Sequence, residues 1–198
     1  MQTNLKENFE QYFQIDEANQ INLYPVDENM VPKNQAQLEA AIPPLFRLAN
    51  EINELDLNAL RPLRNLGDVA SDLAAYLQAQ SRKIDLIMSH ILANEQPEDE
   101  TSYCDSYGGG GIKVTTNEQF QIGQNFRTKV FLQYEASAIF CYSQVIEIAK
   151  QDDDALQYTL AFTQIRDTDQ ELLVRASLHA QTRQLKKRQS DAESDQNS

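Results

Sequence analysis

The sequence is poor in the features that build disulfide frameworks, nucleic-acid footprints and membrane spans. It has no Trp and two Cys, Cys104 and Cys141, among 198 residues, so a disulfide framework is excluded and reduced thiols are expected. The 17 Lys and Arg residues are outnumbered by 30 Asp and Glu residues, and the net charge is −13. This balance argues against binding to nucleic acid or to an anionic membrane surface, since both require a basic footprint.

Long apolar runs are also missing. No stretch approaches the length of a membrane span, and residues 1–7 lack the basic and apolar segments of a secretion signal. We therefore expect a soluble, cytoplasmic protein without membrane insertion. The length of 198 residues is enough for one domain of ordinary size with an additional segment. Hydrophobic residues make up 41% of the chain, which is a little low and predicts a core that is not large.

The most regular pattern in the chain is a heptad seam between residues 66 and 91. Apolar residues there recur at steps of four and three, which predicts a helix about 39 Å long. Polar residues fill the positions between them, so this helix needs a partner helix and not a globular core. Towards its end Leu86, Met88 and Leu92 widen the apolar surface and indicate a second neighbour. The seam consists of Leu66, Ala70, Leu73, Leu77, Gln80, Ile84, Ile87 and Ile91.

Gln80 is the polar member of this seam. One interpretation is a tolerated polar position near the end of a helical hairpin. The other is a residue that fixes the register and the oligomeric state, as buried polar residues do in coiled coils.

The segments before the seam predict a strand and an interrupted helix. Residues 5–15 fit a strand or a short helix, and residues 21–26 alternate like a strand. Residues 35–55 again show apolar steps of four and three. Pro43 and Pro44 interrupt this block, which predicts either a kink or a restart of the helix.

An acidic linker at residues 94–101 marks a change of architecture. The segments that follow are alternating, β-branched and aromatic, and turn residues separate them. Short strands at this spacing predict a small antiparallel β-barrel or sandwich. The predicted strands are Tyr103–Tyr107, Ile112–Thr116, Phe126–Tyr134, Ile139–Ile148 and Leu156–Ile165.

A C-terminal helix follows the last strand. Asp167 is placed to cap it, with Gln170 as the reciprocal partner of a capping box. Its predicted buried stripe is Leu172, Leu173, Ala176 and Ala180. Residues 190–198 are polar and acidic and have nothing to bury, so we expect disorder there.

No group of residues makes a positive case for catalysis. The run Gly108–Gly111 is not a P-loop, and a turn or a close backbone approach is favoured over a ligand cradle. His90, His179 and the two cysteines lack the spacing of a zinc site, so no metal or cofactor is expected. The cysteines lie in strand patterns that favour burial, and the carboxylates are scattered.

The order of these parts resembles the PilZ domain family. The resemblance rests on a serine followed by a glycine cluster and a barrel, on residues 162–169 running into a helix, and on residues 181–188. Residues 80–85 resemble the branch of the family with inserted heptad helices, which assemble protomers, typically into a tetramer. The resemblance extends from about residue 5 to residue 189.

The implied fold is α+β, a small antiparallel β-barrel with a C-terminal helix and an inserted helical region. The expected organisation is 1–34 as N-terminal strands of the barrel region, 35–95 as the heptad oligomerisation region, 96–189 as the barrel with its helix, and 190–198 as a disordered tail.

The resemblance implies a non-enzymatic module of bacterial cyclic di-GMP signalling. The family motif is Arg-x-x-x-Arg followed by Asp/Asn-x-Ser-x-x-Gly, because arginines bind guanine and phosphate well. This chain has no Arg-x-x-x-Arg, and Cys104 stands where Asp or Asn is expected. The residues left to contact a nucleotide are Ser106, Gly108, Gly109 and Arg183.

We therefore expect weak or no binding of cyclic di-GMP by an oligomeric adaptor, with a tetramer favoured, that acts on an unidentified protein partner. The alternative is a genuine cyclic di-GMP receptor that uses non-standard residues. The missing arginines favour the adaptor, whereas the surviving Ser-x-x-Gly favours the receptor.

Overall fold

The computed structural model describes residues 2–49 and 51, individual positions between 76 and 91, and residues 102–150 and 155–196. Within these residues, seven antiparallel strands form one sheet in the spatial order β2-β1-β5-β6-β7-β4-β3. The strands are β1 (Gln20–Val26), β2 (Ser102–Tyr103), β3 (Ser106–Gly108), β4 (Gly111–Thr116), β5 (Asn125–Leu132), β6 (Ser137–Lys150) and β7 (Leu156–Gln164).

The two edge strands, β2 and β3, are separated in the chain only by Cys104 and Asp105. The amide of Cys104 donates to the carbonyl oxygen of Asn19 at 3.0 Å, beside β1. The next amide, of Asp105, donates to the carbonyl oxygen of Lys113 in β4 at 2.7 Å. The sheet therefore curls until two residues join its edges, which confirms the predicted small antiparallel barrel architecture.

The predicted strands agree with the observed ones except at the curl. The segment predicted as one strand, Tyr103–Tyr107, is divided between β2 and β3, because the chain changes its hydrogen-bonding partner at Cys104 and Asp105. Alternation of side chains does not reveal such a change of partner, since the backbone stays extended through it.

The inner face of the sheet and the C-terminal helix (Asp167–Gln196) enclose the main core. Inner residues of β6 and β7, such as Ile139 and Leu160, pack there against the helix. The helix contributes the predicted stripe, which is buried at all four positions: Leu172, Leu173, Ala176 and Ala180. The two small alanines let the helix approach the sheet closely.

A second core lies on the outer face of β5 and β6. Helical residues Leu38, Ile42 and Phe46 cover Phe131 and Phe140 there. Residues 137–143 are consequently buried on both faces of β6. This double burial explains why their sequence is almost continuously apolar.

The helical segments before the sheet follow the predicted pattern. The ambiguous N-terminal segment forms a helix over Gln2–Glu10. A second helix, Gln35–Ala41, is capped by Asn34, whose side chain accepts from the amide of Gln37 at 3.0 Å. Helical structure resumes at residues 44–49, so the proline pair restarts the helix. No helix within the described ranges is long and apolar enough to cross a membrane.

The described positions of the heptad stretch are helical, and most of its described seam residues are exposed. Leu77, Ile84, Ile87 and Ile91 are 38–59% exposed. Met88 is the exception on this stretch, since it is 5% exposed and packs into the second core. Leu86 and Leu92, the other two residues of the predicted widened end, lie outside the described residues, so its second neighbour stays a prediction. Leu66, Ala70 and Leu73 lie outside the described residues.

The C-terminal helix differs from its prediction at both ends. Asp167 is its first residue and not its cap, and the capping box is absent because Gln170 donates to the carbonyl oxygen of Gly109 at 2.9 Å. The helix also continues to Gln196, so the prediction of disorder from Ser190 is wrong over residues 190–196. Packing against the sheet supplies the costly helical nucleus, and propagation beyond it adds one hydrogen bond for each residue.

Arg166 and Asp169 fix the start of this helix. Two hydrogen bonds of 2.8 Å join the guanidinium to both carboxylate oxygens. The Asp169 side chain is 1% exposed and that of Arg166 is 14% exposed. Asp169 is therefore a buried charge that needs this partner.

Replacing Arg166 with Leu should leave the Asp169 carboxylate buried without that partner. We expect a loss of about 3–5 kcal/mol in the free energy of unfolding, measured by urea denaturation. Lys187→Leu, at an exposed position on the same helix, should change it by less than about 0.5 kcal/mol. Equal unfolding midpoints for the two variants would contradict the assigned role of Arg166.

Candidate functional site

Three of the four predicted nucleotide-binding residues, Ser106, Gly108 and Gly109, lie in β3 and the turn that follows it. All three are buried. The buried side of this strand is covered by residues 9–17, which we call the N-terminal strap. Ile15 of the strap pairs with Tyr107 through two backbone hydrogen bonds of 2.9 and 3.1 Å. The strap thus adds a short strand beside the motif.

The glycine run permits this close approach. A Cβ atom added at Gly108 would overlap the carbonyl oxygen of Phe13. At Gly109 it would lie 2.5 Å from the ring of Tyr12, and at Gly110 it would lie 2.8 Å from the Cα atom of Phe9. Any side chain at these positions would displace the strap. The close-approach interpretation of the run therefore has a physical basis here, in addition to the turn between β3 and β4.

Two buried polar side chains, one of the motif strand and one of the strap, lack hydrogen-bond partners among the described residues. The Ser106 hydroxyl is one, and its residue is 2% exposed. The Gln14 side-chain amide is the other, with both its nitrogen and its oxygen buried. A buried polar group left unpaired costs about 1–3 kcal/mol. The contact between the strap and β3 therefore contains buried polar groups without hydrogen-bond partners among the described residues.

The fourth predicted residue, Arg183, is held by carboxylates of this chain. Its guanidinium donates to both oxygens of Glu17, at 3.0 and 3.2 Å. It lies 3.8 Å from Glu135 and stacks 4.0 Å from the ring centroid of Tyr134. The Tyr107 hydroxyl donates to Glu17 at 3.0 Å. Tyr107 and Glu17 therefore link the motif strand to the cation.

Although the four residues are neighbours, they do not converge on one point. Tyr107 belongs to the main core. Because side chains alternate along a strand, Ser106 faces the side opposite to Tyr107. The Arg183 guanidinium lies on the Tyr107 side of the strand, because Glu17 accepts hydrogen bonds from both the Tyr107 hydroxyl and the guanidinium. One ligand could not contact Ser106 and Arg183 without rearrangement of the strap.

The electrostatics of this ionic cluster oppose an incoming anion. The cluster places two carboxylates, those of Glu17 and Glu135, around the single guanidinium of Arg183. Burial raises the pKa of the Glu135 carboxyl above its ordinary value of 4.5, although Arg183 and His179 partly offset this effect. Burial also raises the pKa of Tyr107, so its hydroxyl remains a neutral donor to Glu17.

Both cysteines are buried thiols of the main core, as their strand patterns predict. Burial raises the pKa of Cys104 to about 11 and that of Cys141 well above its ordinary value. Neither thiol is activated as a nucleophile. In the parts of the chain that the structure describes, no group of three or more His, Cys, Asp and Glu is placed to hold a metal ion.

The sequence reasoning missed a second set of cations on the outer face of β5. Arg127 stacks 4.7 Å from the ring centroid of Tyr24, and Lys129 lies within 5.6 Å of the ring centroids of both Tyr24 and Phe46. Their spacing of two residues on a predicted strand already places them on one face. Glu17 and Glu135 could not be found in this way, because distant segments bring them to Arg183.

Comparison with known proteins identifies the domain. Residues 89–179 match the family model of the PilZ domain. The chain carries a PilZ domain. The curled antiparallel sheet and the C-terminal helix are the structural form of this domain here, and the resemblance noted in the sequence is confirmed. No curated protein matches the sequence.

Several solved PilZ structures are similar to this one. A tetrameric PilZ domain from Xanthomonas campestris, described as self-assembled through a helical bundle, matches with a TM-score of 0.54 and 15% identity, over 93% of this chain and 99% of that chain. At this identity the match concerns the fold.

Two further matches are partial. The Bacillus subtilis inhibitor of motility MotI (DgrA) shares 28% identity over 47% of this chain, with a TM-score of 0.39. YcgR from Escherichia coli, solved in complex with cyclic di-GMP, shares 15% identity over 49% of this chain, with a TM-score of 0.38. The matches span 46% and 43% of these two proteins, less than half of each.

The raised pKa of Glu135 predicts an unusual response to a neutral substitution. In the folded state the carboxyl binds its proton more tightly than in the unfolded state. Its destabilising charge is therefore absent at low pH and appears as the pH rises through the folded-state value. Glu135→Gln should raise stability at about pH 8 and have little effect at about pH 4, near the ordinary pKa of glutamate.

The measurement is the urea midpoint at both pH values, with Glu28→Gln at an exposed position as the control. A loss of stability in Glu135→Gln at high pH would contradict the account. It would mean that attraction to Arg183 and His179 outweighs the cost of burial.

Proposed function

We propose that this PilZ protein is a non-enzymatic adaptor of cyclic di-GMP signalling whose motif strand is occupied by its own chain. The observation that carries the proposal is the strap. Ile15 pairs with Tyr107, and the strap backbone lies where a side chain on Gly108 or Gly110 would be. A ligand that used Ser106, Gly108 and Gly109 would have to displace it.

The ionic cluster supports the same proposal. Cyclic di-GMP carries two phosphates, and arginine is the residue suited to bind them and the guanine edges. Arg183 is already paired with Glu17 and lies near Glu135. Releasing it would leave two carboxylates beside the ligand. Binding at this place would therefore be weak or absent.

One observation favours the alternative, a receptor with non-standard residues. The Ser106 hydroxyl and the Gln14 amide are buried and lack partners among the described residues. A ligand that lifted the strap would expose both groups and could satisfy them. In that case the strap would act as a replaceable substitute for the ligand.

Isothermal titration of the full chain with cyclic di-GMP separates these two functions. The adaptor predicts no saturable heat at micromolar ligand for the folded protein. Micromolar binding that is lost in Arg183→Ala or Ser106→Ala would overturn the adaptor and establish the receptor. Circular dichroism of each variant provides the control for folding.

The heptad seam is proposed as the assembly device, with a tetramer favoured. Its described members are exposed in the single chain, and contact with partner helices would bury them. These members are Leu77, Ile84, Ile87 and Ile91. The Xanthomonas structure is described as a tetramer assembled through a helical bundle. The assembled protein would present several PilZ domains to a protein partner. We propose that it acts in the bacterial cytoplasm.

The combined change Leu73→Asp, Leu77→Asp and Ile84→Asp tests this assembly. Burying each such side chain contributes about 1.5–3 kcal/mol, so three charges should yield monomers with a folded barrel. The measurements are mass by light scattering and thermal unfolding. Tyr76→Asp, an exposed change on the same stretch but off the seam, should leave the mass unchanged. An unchanged mass in the triple variant, or loss of all structure, would contradict the assembly role.

A further inference from the structure

A cleft apart from the motif is lined by three parts of the chain. These are the N-terminal helix Gln2–Glu10, the loop at residues 28–33 that follows β1, and the neighbouring strands β5, β6 and β7. None of the four predicted nucleotide-binding residues, all of which the structure describes, lines it. Its volume is about 930 Å³, within the range of about 300–1,000 Å³ that ligand pockets have. We call it the amide cleft.

Side-chain amides dominate this cleft. Six of its twelve described lining residues are Asn or Gln, and each of the three parts contributes at least one of them. A side-chain amide carries both an acceptor oxygen and an NH₂ group with two donors. The cleft is therefore rich in paired donors and acceptors without charge. The six residues are Asn4, Asn8, Asn29, Asn125, Gln144 and Gln164.

Most of this hydrogen-bonding capacity is unused within the part of the chain that the structure describes. The Gln144 amide donates to the side-chain oxygen of Asn125 at 3.1 Å. This bond orients both side chains and leaves the oxygen of Gln144 and the NH₂ group of Asn125 for a ligand. The other four amide side chains, on Asn4, Asn8, Asn29 and Gln164, make no hydrogen bond to another described residue.

The remaining lining residues narrow the class of ligand. Glu28 and Lys33 contribute one charge of each sign, so the cleft favours neither anions nor cations. None of the described lining residues is aromatic, so there is no ring on which a nucleobase could stack. Leu5, Val31 and Pro32 supply aliphatic surface. The fitting ligand is neutral, has many donors and acceptors, and carries apolar groups.

We propose that the amide cleft binds an extended peptide segment of another protein. Each peptide group is neutral and has one donor and one acceptor, so a side-chain amide can bond to it through either group. The aliphatic lining would contact apolar side chains of the same segment. The proposal names a partner class for the adaptor described above, and rests on that adaptor role.

Other ligands fit the amide cleft less well. A cyclic dinucleotide brings two phosphates, whereas Lys33 is the one cation among the described lining residues and Glu28 opposes it. A helical segment has already paired its main-chain groups internally, so the cleft amides would find few of them. A sugar could bond to the amides, but it lacks the apolar side chains that would cover Leu5, Val31 and Pro32.

The probe for this proposal is a library of random heptapeptides displayed on phage and selected on the immobilised full-length chain. The enriched peptides, once synthesised, should bind saturably in a fluorescence anisotropy titration. The matched control for each peptide is a copy with methylated backbone nitrogens. This copy keeps every side chain and loses its main-chain donors, so it should bind at least about tenfold more weakly.

A double variant, Asn8→Ala with Gln164→Ala, assigns the binding to the cleft. Each lost hydrogen bond weakens binding about twofold to tenfold, so the pair should weaken it at least about fourfold. Neither side chain is hydrogen-bonded to a described residue, so the fold should persist, and circular dichroism checks this. The control, Asn117→Ala with Gln119→Ala, removes the same residue types at exposed positions between β4 and β5 and should bind as the parent does.

Three outcomes would overturn the proposal. Failure of every selected peptide to bind saturably would exclude the cleft as a peptide site. Equal binding by the methylated copies, or by the Asn8/Gln164 variant, would show that the cleft amides do not bind a peptide main chain. Binding of an arrayed glycan that is lost in the same variant, without peptide binding, would assign the cleft to sugars. No nucleotide is present in these assays, so their failure is distinct from a failure of the adaptor in the cyclic di-GMP titration.

Discussion

The close approach of the N-terminal strap to the glycine run is the constraint on which the structure around the motif depends. Gly108, Gly109 and Gly110 leave room where side chains would otherwise be, and residues of the strap fill that room. Its pairing with Tyr107 extends the sheet at one edge, where unpaired backbone groups would otherwise have to be covered or solvated. The same approach brings Glu17 to the end of the strap and within reach of Arg183.

The distribution of charge follows from this arrangement. The strongly acidic chain concentrates cations on its C-terminal helix, and one of them, Arg183, is used inside the molecule to hold the strap. The cations beyond it face outward beside exposed leucines. Internal pairing thus removes a cation from the motif.

Much of this architecture could be predicted from local sequence patterns. The five strand segments, the restart of the helix at Pro43 and Pro44, and the buried stripe of the C-terminal helix follow from side-chain period and from the missing proline amide. The prediction of a capping box failed because the Gln170 side chain donates instead to the carbonyl oxygen of Gly109, which is distant in sequence. The prediction of a disordered tail failed because helix propagation depends on the packed helix before it and not on the polar residues themselves.

The candidate site could be predicted only in part. Ser106, Gly108 and Gly109 were predicted through the family motif, which is contiguous in sequence. The residues that decide what the site can bind come from distant segments: Gln14 and Glu17 from the strap, and Glu135 from the turn between β5 and β6. No local pattern marks a carboxylate that will contact a particular arginine. Sequence patterns could therefore identify the motif but not the strap that lies against it.

Amide hydrogen exchange at Ile15 and Tyr107 would test most directly whether the chain itself occupies the motif strand. The account predicts that both amides exchange as slowly as the core amide of Cys141, and that saturating cyclic di-GMP leaves their rates unchanged. Fast exchange at both positions in the free protein, or rates at both that change when the nucleotide is added, would contradict it. The first result would show that the strap opens in the free protein, and the second that the nucleotide competes for its place.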